Sequence, residues 1–511
     1  MAPVDTSLFR QGNHSPSYFT LSRMSGTDDL VDFCIPCNPY FPPQEMFDRL
    51  SSNLEGILKF YPSDNATITG QLATLLAMPP QSIAMANGST ELITWIDHLL
   101  ISESMATPVP TFGRWTDQSL ETGKRVDMFP LTENAGFSLN LEAYVEFIRA
   151  RRSRVAVISN PNNPDGGYIS RWDVVRMMDA LADLDLVVVD ESFIDFVDAE
   201  EHPSVARDAM LRHNVLVLKS LGKNFGLHGV RFGYAVGNPA LVQRIGKRLP
   251  KWNLNSMAET VVFMLADYFE DYRQSLRLLA RDRAIMIDQL CRVPGLLVYP
   301  SQGNFVLVKL PQEVEGPLLR DHLLQNHGLV IRECGNKLGI TNQFCRLVVR
   351  PQEDSTMLVQ AMHEYFWSRQ VGAGESLSRE PAREIYQREA QRREEVAYSA
   401  ESLPLAGEAP GRRQRGFSRQ RLQEAGSAPV ASLPMEEPQE RRYAAAADDS
   451  PPRGFSRQSL REAVGPPEEE REEAPAAAVG GEEPKPWYLQ GRDPNEPRGL
   501  RVRPLRVANG R

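Results

Sequence analysis

Three short runs of aliphatic and β-branched residues, Val155–Ser159, Leu186–Asp190 and Val215–Lys219, are almost unbroken in their apolar positions, the pattern of strands buried on both faces. Between them apolar positions recur at helical spacing, as over Arg171–Ala182. Strand, helix and strand at this interval predict parallel βαβ units. In open parallel sheets, functional loops gather beyond the carboxyl ends of the strands. Each run is followed there by residues capable of chemistry: Asn160–Gly167, Asp190–Phe193 and Ser220–Arg231. A further apolar helix is predicted over Leu92–Leu100. After about residue 260 the pattern shifts to long helices over Glu259–Cys291, then strands near Leu296–Tyr299, Phe305–Val308 and Phe344–Val349. This predicts a second, smaller α+β layer beside an α/β body with a mainly parallel sheet.

The pattern stops near Gln370. Beyond it Ile occurs once, at Ile385, Cys is absent, and Pro, Glu, Arg and Ala dominate. Such a segment buries too little apolar surface to offset its ordering entropy, so 371–511 reads as a disordered tail, with a helix predicted around 377–397. Arg415–Ala425 returns in altered form as Arg453–Ala463, both copies built on Gly-Phe-Ser-Arg-Gln. The repeat is either a docking element for an unknown partner or tail drift.

The chain has 57 basic and 66 acidic residues, of which 23 and 24 lie in the tail, leaving 1–370 with a net of −8. That acidic body carries no nucleic-acid footprint. Apolar runs such as Leu186–Val189 are too short to cross a membrane, and no secretory leader is evident. Five cysteines, Cys34, Cys37, Cys291, Cys334 and Cys345, make no disulfide framework, and Cys34-Ile-Pro-Cys37 lacks the second pair that a zinc site needs. The expectation is a cytoplasmic protein with no metal.

Lys223 stands in a Gly-rich turn after a buried strand, with Ser220 before it and Arg231 after it. A lysine amine in a desolvated pocket can form a Schiff base, and a hydroxyl with a guanidinium suits a phosphate group. Asp190 ends an apolar strand, where a carboxylate needs a cationic partner such as a pyridinium nitrogen, unless it only caps a helix. Asn160–Gly167 is dense in turn residues, and Asn87-Gly-Ser-Thr-Glu91 opens a helix whose first N–H groups can bind an anion.

Together these residues resemble the fold type I pyridoxal-phosphate enzymes of the class I/II aminotransferase superfamily, over about residues 20–368. Within it the chain is similar to the branch of histidinol-phosphate aminotransferase and threonine-phosphate decarboxylase. The resemblance implies pyridoxal phosphate as cofactor. It divides the chain into an N-terminal arm with part of the small domain (1–45), a large cofactor-binding domain (46–258), a small domain (259–370) and the tail. Lys223 would carry the cofactor, and Asp190 would pair with its ring nitrogen. Asn163 would bond its 3′ oxygen, Phe112 would stack on the ring, and Gly88, Ser89, Ser220 and Arg231 would hold its phosphate. Tyr61 would reach the phosphate of a neighbouring subunit, which implies a homodimer. The substrate, a small amino acid, would meet Arg346 with its carboxylate and lie near Asn38, Arg332 and Arg350.

The chain departs from the pattern at Phe193, where aminotransferases of this branch have tyrosine, at Asp165, where threonine is usual, and in Cys37–Pro43. Phe193 with the following Ile-Asp-Phe, and Arg332-Glu-Cys-Gly-Asn336, resemble threonine-phosphate decarboxylases, whereas Lys223-Asn-Phe-Gly-Leu resembles general aminotransferases. The first reading is amino-group transfer. Decarboxylation of a phosphorylated amino acid is the alternative, and a non-catalytic cofactor-binding module a third. Arg346 and Arg350, four apart on a predicted strand, are expected to share a face and converge with Arg332 on a doubly anionic substrate.

Overall fold

The computed structural model describes Phe9, residues 16–25 and residues 30–369; the tail from residue 370, with its predicted helix and its repeat, lies outside them. Twelve strands run through the described residues: β1 (Val31–Phe33), β2 (Ile83–Ala86), β3 (Ser104–Val109), β4 (Arg125–Pro130), β5 (Val155–Ser159), β6 (Leu186–Asp190), β7 (Val215–Lys219), β8 (Gly233–Gly237), β9 (Leu297–Val298), β10 (Phe305–Lys309), β11 (Leu329–Glu333) and β12 (Phe344–Val348). The strands predicted at 155–159, 186–190 and 215–219 keep those bounds as β5, β6 and β7.

Seven strands form one sheet in the order β2-β8-β7-β6-β5-β3-β4, parallel except for β8, which runs against both of its neighbours. Both faces are covered. Ala156, Ile158, Val187, Val189, Val215 and Val217 enter one core, and Val155, Val157, Leu186, Val188, Leu216 and Leu218 enter the other. That is why these strands read as continuous apolar runs rather than alternating ones. The register pairs Ser159 with Asp190 and Asp190 with Leu218, so the carboxyl ends of β5, β6 and β7 lie level and their following loops face one crevice. By the two-residue strand period Asp190 falls on the face of Leu186 and Val188, the side where Trp115 packs.

A second sheet has the order β1-β11-β12-β10-β9. Its first strand comes from the N-terminal part of the chain, parallel to β11, and the rest is antiparallel. Phe305, Val306, Val308, Leu329, Ile331 and Leu347 build its core with the helices Phe269–Leu290, Gly316–His327 and Gln352–Ser368. The helical stretch expected over Glu259–Cys291 is two helices, Ser256–Met264 and Phe269–Leu290. Leu265 and Tyr268 turn into the core of the large sheet at the break, and Asp267 pairs with Arg49 at 2.9 Å.

Beneath the loop after β7 lies a buried polar network. Lys219 Nζ pairs with Glu191 at 3.1 Å and Asp195 at 3.3 Å. Asp195 also accepts from Asn224 and from Tyr272, and Glu191 accepts from Ser204 and the Val205 N–H. Burial alone would push the Lys219 pKa down, but the two carboxylates hold it above the ordinary lysine value. Lys219→Met removes that charge and leaves Glu191, which is fully buried, without its cation. The expected loss is about 3–5 kcal/mol in urea unfolding, and a loss below about 1 kcal/mol would show that the network contributes little to stability.

Candidate active site

Lys223 lies in the one-turn helix Leu221–Asn224, which follows β7 after Ser220 alone. Its Nζ sits 4.9 Å from the centroid of the Phe193 ring and 5.7 Å from that of Phe112. Desolvation pushes its pKa down to about 8; Arg231 and Arg346 add to that, and Asp190 opposes it. At pH 8 about half of such an amine is the neutral nucleophile, whereas an ordinary lysine is almost wholly protonated.

Asp190 is buried at the carboxyl end of β6. Its Oδ2 accepts from Trp115 Nε1 at 2.9 Å and its Oδ1 from the Ser192 N–H at 3.0 Å. Both oxygens are therefore fixed, and the carboxylate caps no helix. Phe193 is buried edge-on against Phe305, their centroids 5.0 Å apart, and gives the lysine amine an aromatic face where a tyrosine would give a hydroxyl.

The helix Ser89–Leu100 opens on Gly88, and no side chain caps its N-terminus. Its first N–H groups are left for an anion. Gly88 has φ +90°, and a Cβ there would stand 2.6 Å from an Arg231 terminal nitrogen. Arg231 itself is left-handed, φ 57°, a conformation that costs a non-glycine residue free energy. Glycine at 88 thus opens a cradle bounded by the Arg231 guanidinium and the uncapped helix start. Ser220 is buried at the head of the lysine helix, its hydroxyl making no cap bond.

On the other side of the site, Arg346 projects from β12. One terminal nitrogen donates to Asn163 Oδ1 at 2.9 Å and the other to the Cys34 carbonyl at 2.6 Å, with its guanidinium 5.2 Å from the centroid of the Phe305 ring. Its Nε has no partner among the described residues, and burial pushes its pKa below the usual arginine value. Arg332 is its register partner on β11 and donates to Asn336. Asp165 holds the loop after β5: it accepts from the Asn162 side chain and from the Gly167 N–H, and burial pushes its pKa up to about 6.

The structure thus gathers Lys223, Asp190, Phe112, Asn163, Arg231, Gly88, Ser89, Ser220 and Arg346 at the strand ends. Others lie elsewhere or are already engaged. Arg350 does not share a strand face with Arg346, because β12 ends at Val348 and Arg350 pairs at 3.0 Å with Asp354 in the next helix. Asn38 is buried, donating to the Asn224 carbonyl and Ser275 and accepting from the Tyr40 N–H. Tyr61 is 86% exposed and packs on Trp252 at the surface.

Three further residues contact the loops of the site or act on its lysine. Trp115 fixes Asp190. His228, whose Nε2 lies 3.2 Å from the Pro36 carbonyl, is pushed down to about 4 by desolvation and then by Lys223. Lys337 donates to the Thr111 carbonyl at 3.1 Å. Their contacts span 75, 192 and 226 residues, so no local spacing announces them.

The chain matches the family described as aminotransferase class I and II over residues 28–362. It is 27% identical to an L-serine phosphate decarboxylase of Campylobacter jejuni over 368 residues, 70% of this chain and 94% of that protein. The solved structure of a decarboxylase from Sulfurospirillum multivorans superposes with a TM-score of 0.64 at 28% identity, covering 70% of this chain and 95% of that one. A histidinol-phosphate aminotransferase of Ruminiclostridium cellulolyticum is 24% identical over 331 residues, 64% of this chain and 90% of that protein. A match over most of the described chain, joined to a desolvated lysine and a fixed carboxylate at adjacent strand ends, places it: the chain belongs to the class I and II aminotransferase family and is a pyridoxal-phosphate-dependent enzyme.

Proposed function

We propose that this enzyme decarboxylates an L-amino acid bearing a phosphate on its side chain, with serine phosphate as the first candidate. Amino-group transfer, the first reading of the sequence, gives way to its alternative. The observation that carries this is Arg346, buried on the side of the site where it acts on Lys223, its Nε without a partner among the described residues, with Arg332 its register partner on the neighbouring strand. Such a concentration of cations suits a substrate with two anionic groups, a carboxylate and a phosphate. The named decarboxylases among the relatives support the choice of reaction.

The residues present fit the cofactor. Gly88 leaves the cradle that a Cβ would fill, and the helix start, Ser220 and Arg231 would hold the phosphate there. Asp190 would hold the proton on the ring nitrogen, its own orientation set by Trp115 and the Ser192 N–H. With its Oδ1 taken by Arg346, Asn163 has its Nδ2 left to donate to the 3′ oxygen. Phe112 would lie against the ring. Bound pyridoxal phosphate supplies an electron sink for the bond broken at Cα.

Arg346 holds and orients the carboxylate, so that the Cα–carboxylate bond is the one aligned for cleavage. Carbon dioxide leaves, its bonding electron pair remains with the substrate, and a proton returns to Cα. Lys223 Nζ, with its pKa near 8, can deliver that proton near neutral pH. The rings of Phe112, Phe193 and Phe305 keep bulk water from the reacting carbon. A homodimer is part of this reading. Leu58, Phe60, Tyr61 and Trp252 are 76%, 71%, 86% and 53% exposed, an apolar surface suited to a second copy, which Tyr61 would then reach. Among the described residues no helix is long and apolar enough to cross a membrane.

O-phospho-L-serine should yield one carbon dioxide and one O-phosphoethanolamine per turnover with no need for 2-oxoglutarate; glutamate formed without carbon dioxide would return the enzyme to amino-group transfer. Borohydride reduction and peptide mapping should leave the pyridoxyl group on Lys223, and attachment of cofactor to apoprotein should accelerate with pH up to about 8 and then level off. Label on another lysine, or acceleration continuing to pH 10, would remove Lys223 from this role. Asp190→Asn should retain cofactor and lose about a hundredfold to a thousandfold in kcat. Trp115→Phe, which frees one Asp190 oxygen, should lose about tenfold in kcat with KM little changed. An unchanged kcat in the Asn variant would show that Asp190 has no part in the chemistry.

A further inference from the structure

Lys337 lies in the connection between β11 and β12, one residue beyond the Arg332–Asn336 motif. The connection is pressed onto the large sheet's loop. Gly339, φ +82°, would bring a Cβ within 3.2 Å of the Pro110 nitrogen, so the two backbones approach closely there. This seats the Lys337 amine on the Thr111 carbonyl at 3.1 Å. Thr111 directly precedes Phe112, whose ring faces the Lys223 amine, and its hydroxyl donates to Asn162 at 2.9 Å. Asn163, next in the chain, accepts from Arg346. Lys337 and Arg346 therefore flank the same Asn162–Asn163 turn.

No carboxylate is in contact with the Lys337 ammonium among the described residues. Among the described residues neither Lys337 nor Arg346 forms an ion pair with a carboxylate within 4.0 Å. Desolvation pushes the Lys337 pKa down to about 8, Arg346 and Arg332 push it further, and Cys334 and Asp117 oppose them. Asp165 carries the nearest departure from the family pattern and feels Lys337, yet its oxygens bond Asn162 and Gly167 instead. An ammonium has three donors, and here one is matched, by a neutral carbonyl. A single neutral hydrogen bond leaves two donors of this half-buried ammonium without a protein partner. An anion arriving from the site would engage them.

We propose that Lys337 is a specificity-determining residue whose ammonium binds the side-chain phosphate of the substrate while Arg346 holds the carboxylate. The inference rests on the decarboxylase reading and deepens it. A compact ammonium suits a tetrahedral oxyanion as a point charge, whereas the planar Arg346 fork suits a carboxylate. The competing role is mechanical, a bolt from Lys337 to the Thr111 loop.

Lys337→Gln separates the two, because the amide keeps a donor for the Thr111 carbonyl and removes the charge; Lys337→Met removes both. The holoenzymes are titrated with three probes, followed by the change in cofactor absorbance: O-phospho-L-serine, O-phosphoethanolamine, which has the phosphate but no carboxylate, and L-serine, which has the reverse. Both variants should bind the two phosphorylated probes about tenfold to a hundredfold more weakly and L-serine within about twofold of wild type. Wild type that binds neither phosphorylated probe would overturn the decarboxylase reading and this inference with it. Wild type that binds both, with Lys337→Gln unchanged, leaves the reading intact and makes Lys337 a bolt. Weakening of all three probes together, or of O-phospho-L-serine but not O-phosphoethanolamine, would likewise overturn the assignment to phosphate. If Lys337→Met fails to fold, Lys337→Gln alone decides.

Discussion

Positive charge held in a partly desolvated crevice is the constraint on which this structure turns. Desolvation depresses the Lys223 amine, Arg231 and Arg346 add to it, and Asp190 is the carboxylate that opposes them there. Cations so placed are costly without anions. The two arginines keep unfilled capacity: the cradle left by Gly88 beside Arg231, and the buried Nε of Arg346, which has no partner among the described residues. The cofactor phosphate and an anionic substrate complete a charge balance that the protein alone leaves open. The desolvation that makes these cations costly also lowers the lysine pKa into the range where its amine is a nucleophile and a proton carrier.

The fold sustains that imbalance by rigidity. Lys223 follows a strand buried on both faces and stands over the Lys219–Glu191–Asp195 network, in which Asp195 accepts from Asn224, the neighbour of Lys223 in the chain. The Asn38 amide and the Arg346 guanidinium tie the N-terminal segment to the lysine loop and to β12 respectively. Placement of Arg346 is consequently a property of the second sheet, and in the proposed reaction that placement would select the bond to be broken.

Much of the sheet was legible because strands covered on both faces read as apolar runs, and β5, β6 and β7 fall where those runs lie. The residues at their ends were legible for the same reason: a lysine, an asparagine and an aspartate just past buried strands have few structural purposes. Other elements left weaker marks. β1 is three residues long, and β8 has glycine at both ends. Arg350 misled because strand periodicity continues in the sequence through Val349, whereas β12 ends at Val348 and the chain turns toward the helix opened by Pro351. Trp115 and Lys337 were invisible, since what ties them to the site loops is one contact each with a residue far away in sequence. Phe193, read as the loss of a hydroxyl, proves to be an aromatic face for the lysine amine.

In the proposed decarboxylation the bond to the carboxylate breaks and the Cα–H bond stays intact. Turnover of O-phospho-L-serine deuterated at Cα, in ordinary water, separates this from amino-group transfer. The expected product is O-phosphoethanolamine with the deuterium retained and one solvent proton added at the same carbon. Product or recovered substrate that has lost the deuterium would show that Cα–H is broken, and would contradict the assignment of Arg346 as the residue that aligns the carboxylate for departure.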